Sequence, residues 1–499
     1  MKTINNYLAE SITRYGERIA LVDQATGEQV SYESLARGLG QVAGLLADEG
    51  VKQGEVVTLV SGNSVDLAIM LYGVMAYGAI ANPLNPQLTS LEVAAVVEHS
   101  SSKIIFTDAS AATDGFQGKR FDIAAYRGRA PMMLDLLSSA SVNGETGALL
   151  IYTSGTTGKP KGILLNHGNI TFNARTAIER LALKEDHTTL CLLPLFHTFG
   201  FISDLSTMLF SGGKTVVTEM FDISKLAVLE VAIREHGVNS FSAVPLMFEL
   251  MLRFDCDLKA PSMKFCVSGA APLREKTSAE FLAQYGFPII PAYGLTEATC
   301  FATLSMPDRI NSRSIGVPAN VEIKIVSDDG RQLGLGERGE LVIKGESIMR
   351  GGYFKGGDDC FLDPGREWLK TGDLGYCDED GAFYITGRKK NMVIRGGEKV
   401  YLEDIDTCLS SWESILDSAT VSFEDDRGEK IACFLVLRDG AVATHTEIMS
   451  YIRTRMGTQK CPDLVIFRDR IPRTATNKVR IRELQLLAGS YAVGAGALA

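Results

Sequence analysis

Between residues 20 and 110 the chain alternates short apolar runs with longer stretches of helical period. "IALVD", "EVVTLVSG" and "KIIFTD" are brief and apolar, as strands buried in a sheet require. "SYESLARGLGQVAGLLADEG" instead repeats its apolar positions at helical spacing. The alternation resumes after residue 160 with "TTLCLLPL", "GKTVVTE", "VNSFSAVP" and "MKFCVSGAAPL", each beside a helical segment. Strands alternating with helices predict a doubly wound α/β sheet, whose ligands sit at loops following the C-terminal ends of strands. From about Gly316 the texture changes. "VEIKIV", "GELVIKG" and "GAFYITG", separated by "SDDG" and "CDEDG" turns, predict a small β-rich subdomain over about 316–387. A compact α+β segment follows. The expected organisation is a large N-terminal domain, 1–387, and a small mobile C-terminal domain, 388–499. The small-residue tail of the latter, 488–499, is expected to be flexible.

At 499 residues the chain exceeds what one core accommodates, and its 45% hydrophobic and 22% charged content is ordinary for a globular protein. The most apolar run, Leu67–Ala81, is shorter than the roughly 20 residues that span a bilayer, so a buried helix is expected and no membrane span. The opening "MKTINNYLAESITRYGERIA" has no apolar core of a signal peptide. Nine cysteines without a C-x-x-C pair predict reduced thiols and a cytoplasmic location, and six scattered histidines form no metal signature. The net charge of −10 argues against nucleic acid as a partner. From Arg388 onward 17 Lys and Arg face 15 Asp and Glu, so this segment is the more basic one and suits an anionic second ligand.

The loop "YTSGTTGKPKG" (Tyr152–Gly162) follows the strand-like "ALLIY" and combines hydroxyls, glycines and lysines. Glycines let the backbone approach an anion, hydroxyls and N–H groups donate to it, and lysines balance its charge. It is not a Walker loop. Thr153 stands where the first glycine belongs, and Pro160 follows Lys159 where Ser or Thr is needed.

Further along come "AYGLTEAT" (Ala292–Thr299), "WLKTGDLG" (Trp368–Gly375), "GRKKNMVIRGGEKV" (Gly387–Val400) and "PRTATNKVR" (Pro472–Arg480). In this order, the five segments resemble the adenylate-forming superfamily of acyl-CoA synthetases, luciferases and adenylation domains, over roughly residues 10–487. The resemblance implies that a carboxylate is joined to the α-phosphate of ATP with release of pyrophosphate, and that the acyl group then passes to a thiol. Mg²⁺ and positioned cations stabilise the charge developing at phosphorus. It implies that Thr153, Ser154, Gly155, Thr156, Thr157 and Gly158, with Lys161, cradle the β- and γ-phosphates. Glu297 is the implied Mg²⁺ ligand and Thr296 reaches the α-phosphate. Tyr293 and Gly294 flank adenine on one side, Ala270, Ala271 and Pro272 on the other. Asp373 binds the ribose hydroxyls, aided by Arg388. Lys478 bridges the attacking carboxylate and the phosphate. Lys390 occupies the hinge position between the domains. Two departures are visible: Asn477 stands where the last motif has glycine, and Leu402 where a proline is usual. Asn tolerates left-handed backbone, so the loop geometry survives the first.

The implied substrate pocket comprises His197, Thr198, Phe201, Val244, Ser268 and Gly269, with His197 counted among the catalytic residues. Amino-acid-activating relatives carry an aspartate just after the His197 position to bind the ammonium group. Here that residue is Thr198, which disfavours an α-amino acid. Asp204 is left as a receiver for a β-amino group or as a structural residue. The expected reaction is ligation of a small carboxylic acid to coenzyme A, with ATP and Mg²⁺. The alternative is a stand-alone adenylation enzyme that loads a carrier-bound phosphopantetheine in trans, since the chain has no carrier motif of its own. Neither acid nor acceptor is distinguished by these residues, nor monomer from homodimer.

Overall fold

The computed structural model describes residues 2–499 apart from 109, 110, 112, 114, 115, 133–141, 154–160, 357–359, 364, 396, 397, 426, 427, 474–478 and 497–499, and only the backbone at 223, 398, 399 and 492–496. The described chain divides into two compact units. One is Met1–Ile323 with Ile343–Leu369, the other Lys324–Val342 with Lys370–Ala499. The strands of the β-rich region between 316 and 387 are thus shared between the two units.

The first unit holds two sheets. In spatial order, the six-stranded one runs Lys119–Asp122, Ile104–Thr107, Val56–Val60, Ile80–Leu84, Gly147–Thr153 and Lys161–Asn166, parallel except for the last pair. The eight-stranded sheet runs Thr303–Leu304, Ile289–Tyr293, Phe265–Ser268, Ser240–Ala243, Thr188–Cys191, Lys214–Val217, Ile19–Asp23 and Gln29–Ser31. Its six inner strands are parallel and both edges antiparallel. Parallel strands buried on both faces explain the continuous apolar runs in the sequence.

The Leu67–Ala81 run is a helix and a strand rather than one buried helix. Helix Val65–Tyr77 starts at Ser64, whose hydroxyl accepts from the Leu67 N–H, and ends at Gly78 with φ +92°. Only glycine adopts that backbone at no cost, so the chain turns there into strand Ile80–Leu84. Gly73 brings this helix close to helix Tyr32–Asp48, since a Cβ on it would come within 2.6 Å of the Val42 Cβ.

In the second unit, strands Ile415–Asp425, Gly428–Leu437 and Leu464–Phe467 form a sheet with two buried faces. Ile431, Cys433 and Leu435 of the middle strand point into a cluster with Ile405, Ile448 and Ile452. Ala432, Phe434 and Val436 point into another with Val421, Ile466 and Leu484. The period of two thus feeds two cores from one apolar run. Helix Ile481–Gly496 extends through most of the segment expected to be a flexible tail, and Ala488 is fully buried in the second core. Its small side chain suits close packing of helix on sheet.

Candidate active site

The eight-stranded sheet gathers three candidate segments at the C-terminal ends of adjacent parallel strands. Ala243 pairs with Ser268, and Ser268 with Pro291. Val244 therefore follows one strand and Gly269–Pro272 the next, while Tyr293 ends the third and Gly294–Glu297 follow it. A crevice beyond such ends is where open α/β sheets take ligands.

The turn after strand Ile289–Tyr293 is unusually constrained. A Cβ on Gly294 would stand 1.4 Å from the Cys300 carbonyl oxygen, so any side chain here must force the turn apart. Thr296–Ala298 forms a short 3₁₀ turn, and Thr299 then takes φ +68°. Ala270, on the neighbouring loop, has the same φ of +68°. Left-handed backbone at non-glycine residues costs about 1–2 kcal/mol each and is sustained only where the surroundings enforce it. The enforcement at Thr299 is visible. Its hydroxyl donates to the Ser347 carbonyl at 2.6 Å, and the Phe301 N–H and carbonyl are both held by the Asn173 side chain.

Thr296 is buried and the Glu297 side chain is half-buried. Tyr353 donates its hydroxyl to Glu297 Oε1 at 3.0 Å. The Met349 N–H donates to the Glu297 carbonyl at 2.8 Å. A single carboxylate fits Mg²⁺ bound largely through phosphate oxygens, which needs one or two carboxylates and no cage. Among the described residues no group of three or more His, Cys, Asp or Glu could hold a metal ion by itself.

Thr153 and Lys161 face each other across the antiparallel pair that frames the glycine-rich loop. Ser154, Gly155, Thr156, Thr157 and Gly158 lie between them, outside the described residues. Lys161 places its ammonium 5.0 Å from the centre of the Tyr353 ring. Next to it, Tyr152 and His99 meet through the phenol oxygen and Nδ1 at 2.7 Å.

His197, Thr198 and Phe199 lie just ahead of a π-helical turn, Gly200–Ser206. Such turns are rare and recur at functional sites. Thr198 is 2% exposed. The Phe199 ring lies against Gly269, where a Cβ would meet it at 3.1 Å, and thereby joins this loop to the strand ends. Ser268 is buried, and its hydroxyl has no partner among the described residues. Phe201 is fully buried and stacked on Tyr72 at 5.6 Å. Asp204, on the same turn, is buried and accepts from the Ser242 hydroxyl at 2.5 Å. Burial pushes its carboxyl well above the usual carboxylate range, against the hydrogen bonds from Ser242. It is held toward the neutral form, which offers an ammonium little charge.

In the second unit, strands Leu369–Cys377 and Phe383–Arg388 set Asp373 opposite Arg388, whose Nε donates to Asp373 Oδ1 at 3.0 Å. Asp373 is 6% exposed. Lys390 sits in the 3₁₀ turn Lys389–Asn391. The same turn is anchored by Lys389 on Glu340 at 3.0 Å and by Asn391 on Glu403 at 2.7 Å. Lys478 lies outside the described residues.

Sequence reasoning missed Tyr353, Ser242, Asn173 and Glu340. Only Tyr353 had a sequence signal, its place directly after the Gly351–Gly352 pair.

The loops at these strand ends give the open α/β sheet a ligand crevice. Residues 8–354 match the family model described as AMP-binding enzyme, and 404–478 match the AMP-binding enzyme C-terminal domain. The chain is 30% identical to the sulfoacetate–CoA ligase of Cupriavidus necator, with 96% of each chain covered. It is 29% identical to 4-coumarate–CoA ligase 5 of Oryza sativa subsp. japonica, over 97% of this chain and 94% of that one. Among solved structures, it superposes with a TM-score of 0.85 on the o-succinylbenzoate CoA synthetase of Bacillus subtilis in complex with its acyl-adenylate intermediate. That pair is 28% identical, with 96% and 98% of the chains covered. The same synthetase in complex with ATP and magnesium ion gives a TM-score of 0.84 at 27% identity, with 96% of this chain and 99% of that one covered. The chain belongs to the AMP-binding enzyme family. It is an acid–thiol ligase that activates a carboxylic acid with ATP and Mg²⁺ to an acyl-adenylate and transfers the acyl group to coenzyme A. Among the described residues no helix is long and apolar enough to cross a membrane.

Proposed function

We propose that the acid is a small acyl or aryl carboxylate without an α-ammonium group. One observation carries this reading: the buried side chain after His197 is Thr198, a hydroxyl where an ammonium would need a carboxylate. An unpaired buried ammonium is costly, and Asp204 is held toward its neutral form nearby in the chain. Sulfoacetate, 4-coumarate and o-succinylbenzoate, the acids for which the relatives are named, carry no amino group.

In this reading the carboxylate enters the crevice at His197, Val244, Ser268 and Gly269 and attacks the α-phosphorus of ATP, breaking the bond to pyrophosphate. Thr153 to Gly158 and Lys161 hold the departing phosphates, and Thr296 holds the α-phosphate. Mg²⁺ at Glu297 would neutralise charge on those oxygens. Tyr293 and Gly294, with Ala270, Ala271 and Pro272, hold adenine. Asp373 and Arg388 hold ribose, and Lys478 bridges the two reacting groups. The thiolate of coenzyme A then attacks the acyl carbon and expels AMP. Residues 1–387 and 388–499 serve as the bodies that reorient about Lys390 between the two steps. The nine cysteines, all free thiols, support a reducing cytoplasmic setting.

A panel of carboxylic acids with hydroxylamine trapping of the adenylate tests the substrate reading, followed by competition between coenzyme A and phosphopantetheinyl carrier proteins. Turnover of acids lacking an α-amino group is expected, weakened by Thr198→Asp. Strong wild-type turnover of several proteinogenic amino acids overturns it, and preference for a carrier protein overturns the acceptor.

A further inference from the structure

The segment 346–354 runs past both halves of the candidate phosphate site without belonging to any motif read from the sequence. Asn169 holds its start, donating to the Glu346 and Ile348 carbonyls at 2.7 and 3.0 Å. Its Met349 N–H fixes the Glu297 backbone. Gly351 and Gly352, at φ +76° and +89°, then turn the chain sharply, which side chains there would resist. Past the turn, the Phe354 N–H donates to the Gly162 carbonyl at 2.8 Å, on the strand that leaves the glycine-rich loop. Tyr353 stands between these anchors. Its hydroxyl meets Glu297 Oε1 at 3.0 Å, and its ring lies 5.0 Å below the Lys161 ammonium. One side chain therefore touches the candidate metal carboxylate and the candidate phosphate lysine.

We propose that Tyr353 is the positioning residue of this phosphate site, holding the Glu297 carboxylate for Mg²⁺ through its hydroxyl and Lys161 through its ring. The assignment rests on the reading of Glu297 as the metal ligand. The physical argument is one of preorganisation. A half-exposed glutamate has three rotatable bonds, and a hydrogen bond to one oxygen restricts them while leaving the other oxygen for the cation. Partners of metal ligands change metal affinity about 10–100-fold when removed. A cation over a phenol ring is confined similarly, at the cost of little desolvation. The two contacts make separable demands, because phenylalanine keeps the ring and loses the hydroxyl.

The test measures ATP binding to the whole enzyme by calorimetry, with Mg²⁺ and with EDTA, and the Mg²⁺ dependence of carboxylate-driven pyrophosphate exchange. Mn²⁺ observed by electron paramagnetic resonance with ATP reports the metal directly. Tyr353→Phe is expected to raise the half-saturating Mg²⁺ concentration about 10-fold and to weaken Mn²⁺ binding similarly, leaving ATP affinity in EDTA within about twofold. Tyr353→Leu should also weaken ATP in EDTA, because Lys161 loses its ring. Melting curves confirm folding of each variant. Glu297→Gln runs in parallel, and in the double variant Glu297→Gln/Tyr353→Phe the effects should fail to add. Wild-type metal dependence in Tyr353→Phe, with Glu297→Gln strongly shifted, overturns the role of Tyr353 alone. Unshifted metal dependence in Glu297→Gln overturns the metal reading and this proposal with it. Equal losses with and without Mg²⁺ in Tyr353→Phe reduce Tyr353 to packing and also overturn it.

Discussion

Replacing Gly294 by alanine should disable adenylation more than it destabilises the protein. The added Cβ would stand 1.4 Å from the Cys300 carbonyl oxygen, and an ordinary carbon–oxygen approach needs about 3.3 Å. The two arms of the turn must therefore part by roughly 2 Å. Between them lie Thr296 and Glu297, held from outside by Met349 and Tyr353. Displacing catalytic groups by 1 Å costs on the order of 100-fold in rate. Carboxylate-dependent pyrophosphate exchange in Gly294→Ala should accordingly fall at least ~100-fold. Overpacking a tight site costs about 1–3 kcal/mol, so the melting temperature should drop by only a few degrees. The control is Gly237→Ala, at the end of helix Leu226–His236, where φ is +61° and nothing lies within 4 Å. It takes a backbone penalty of about 1–2 kcal/mol with no displacement near the site, and exchange should be normal. A folded Gly294→Ala enzyme that exchanges within about threefold of wild type would refute the reasoning, because the turn would then tolerate widening without loss of the phosphate geometry.

Lys478→Ala should slow pyrophosphate exchange about 10²–10³-fold while thioester formation from supplied acyl-adenylate changes far less; exchange at the wild-type rate would remove Lys478 from the first step. Lys390→Pro should preserve exchange and abolish thioester production, because proline fixes φ, whereas Lys390→Ala should retain both; normal rates for both half-reactions in Lys390→Pro place the hinge elsewhere. The fourth concerns pH. Burial depresses the His167 pKa from 6.5 to about 3, so folding excludes a proton that the unfolded chain binds. Its contribution is present in full above pH 6.5 and is lost as pH falls toward 3, at about 1.4 kcal/mol per pH unit. His167→Gln should therefore gain stability relative to wild type by that slope between pH 6.5 and 4 in urea titrations, and parallel pH profiles would contradict it.

Much of the fold was legible in the residues themselves. Strands such as Ile19–Asp23, Val56–Val60 and Ile104–Thr107 fall inside the apolar runs read for them, because a strand buried on both faces is mostly apolar. The segments proposed for phosphate and metal stand out in the sequence for a similar reason. Glycine, hydroxyl and charge at short spacing are requirements of the backbone and of the anion, and both are local. Gly294 and Glu297 accordingly appear in one turn, and Thr153 and Lys161 as a facing pair.

What tertiary structure decided was every outcome that depends on a distant partner. The apolar run at 67–81 divides because Gly78 turns left-handed between a helix packed on Val42 and a strand paired with Val56–Val60. The residues before the C-terminus become helix because Leu484 and Ala488 find a sheet to cover. Phe201, read as pocket from its place after His197, stacks on Tyr72 in the core. The Tyr353–Glu297 hydrogen bond joins residues 56 positions apart. Periodicity records which face of an element is buried, and composition records what a loop can bind. Neither records which segments meet, since that is settled by closing long loops over a shared core, where the gain in burial must outweigh the entropy of closure.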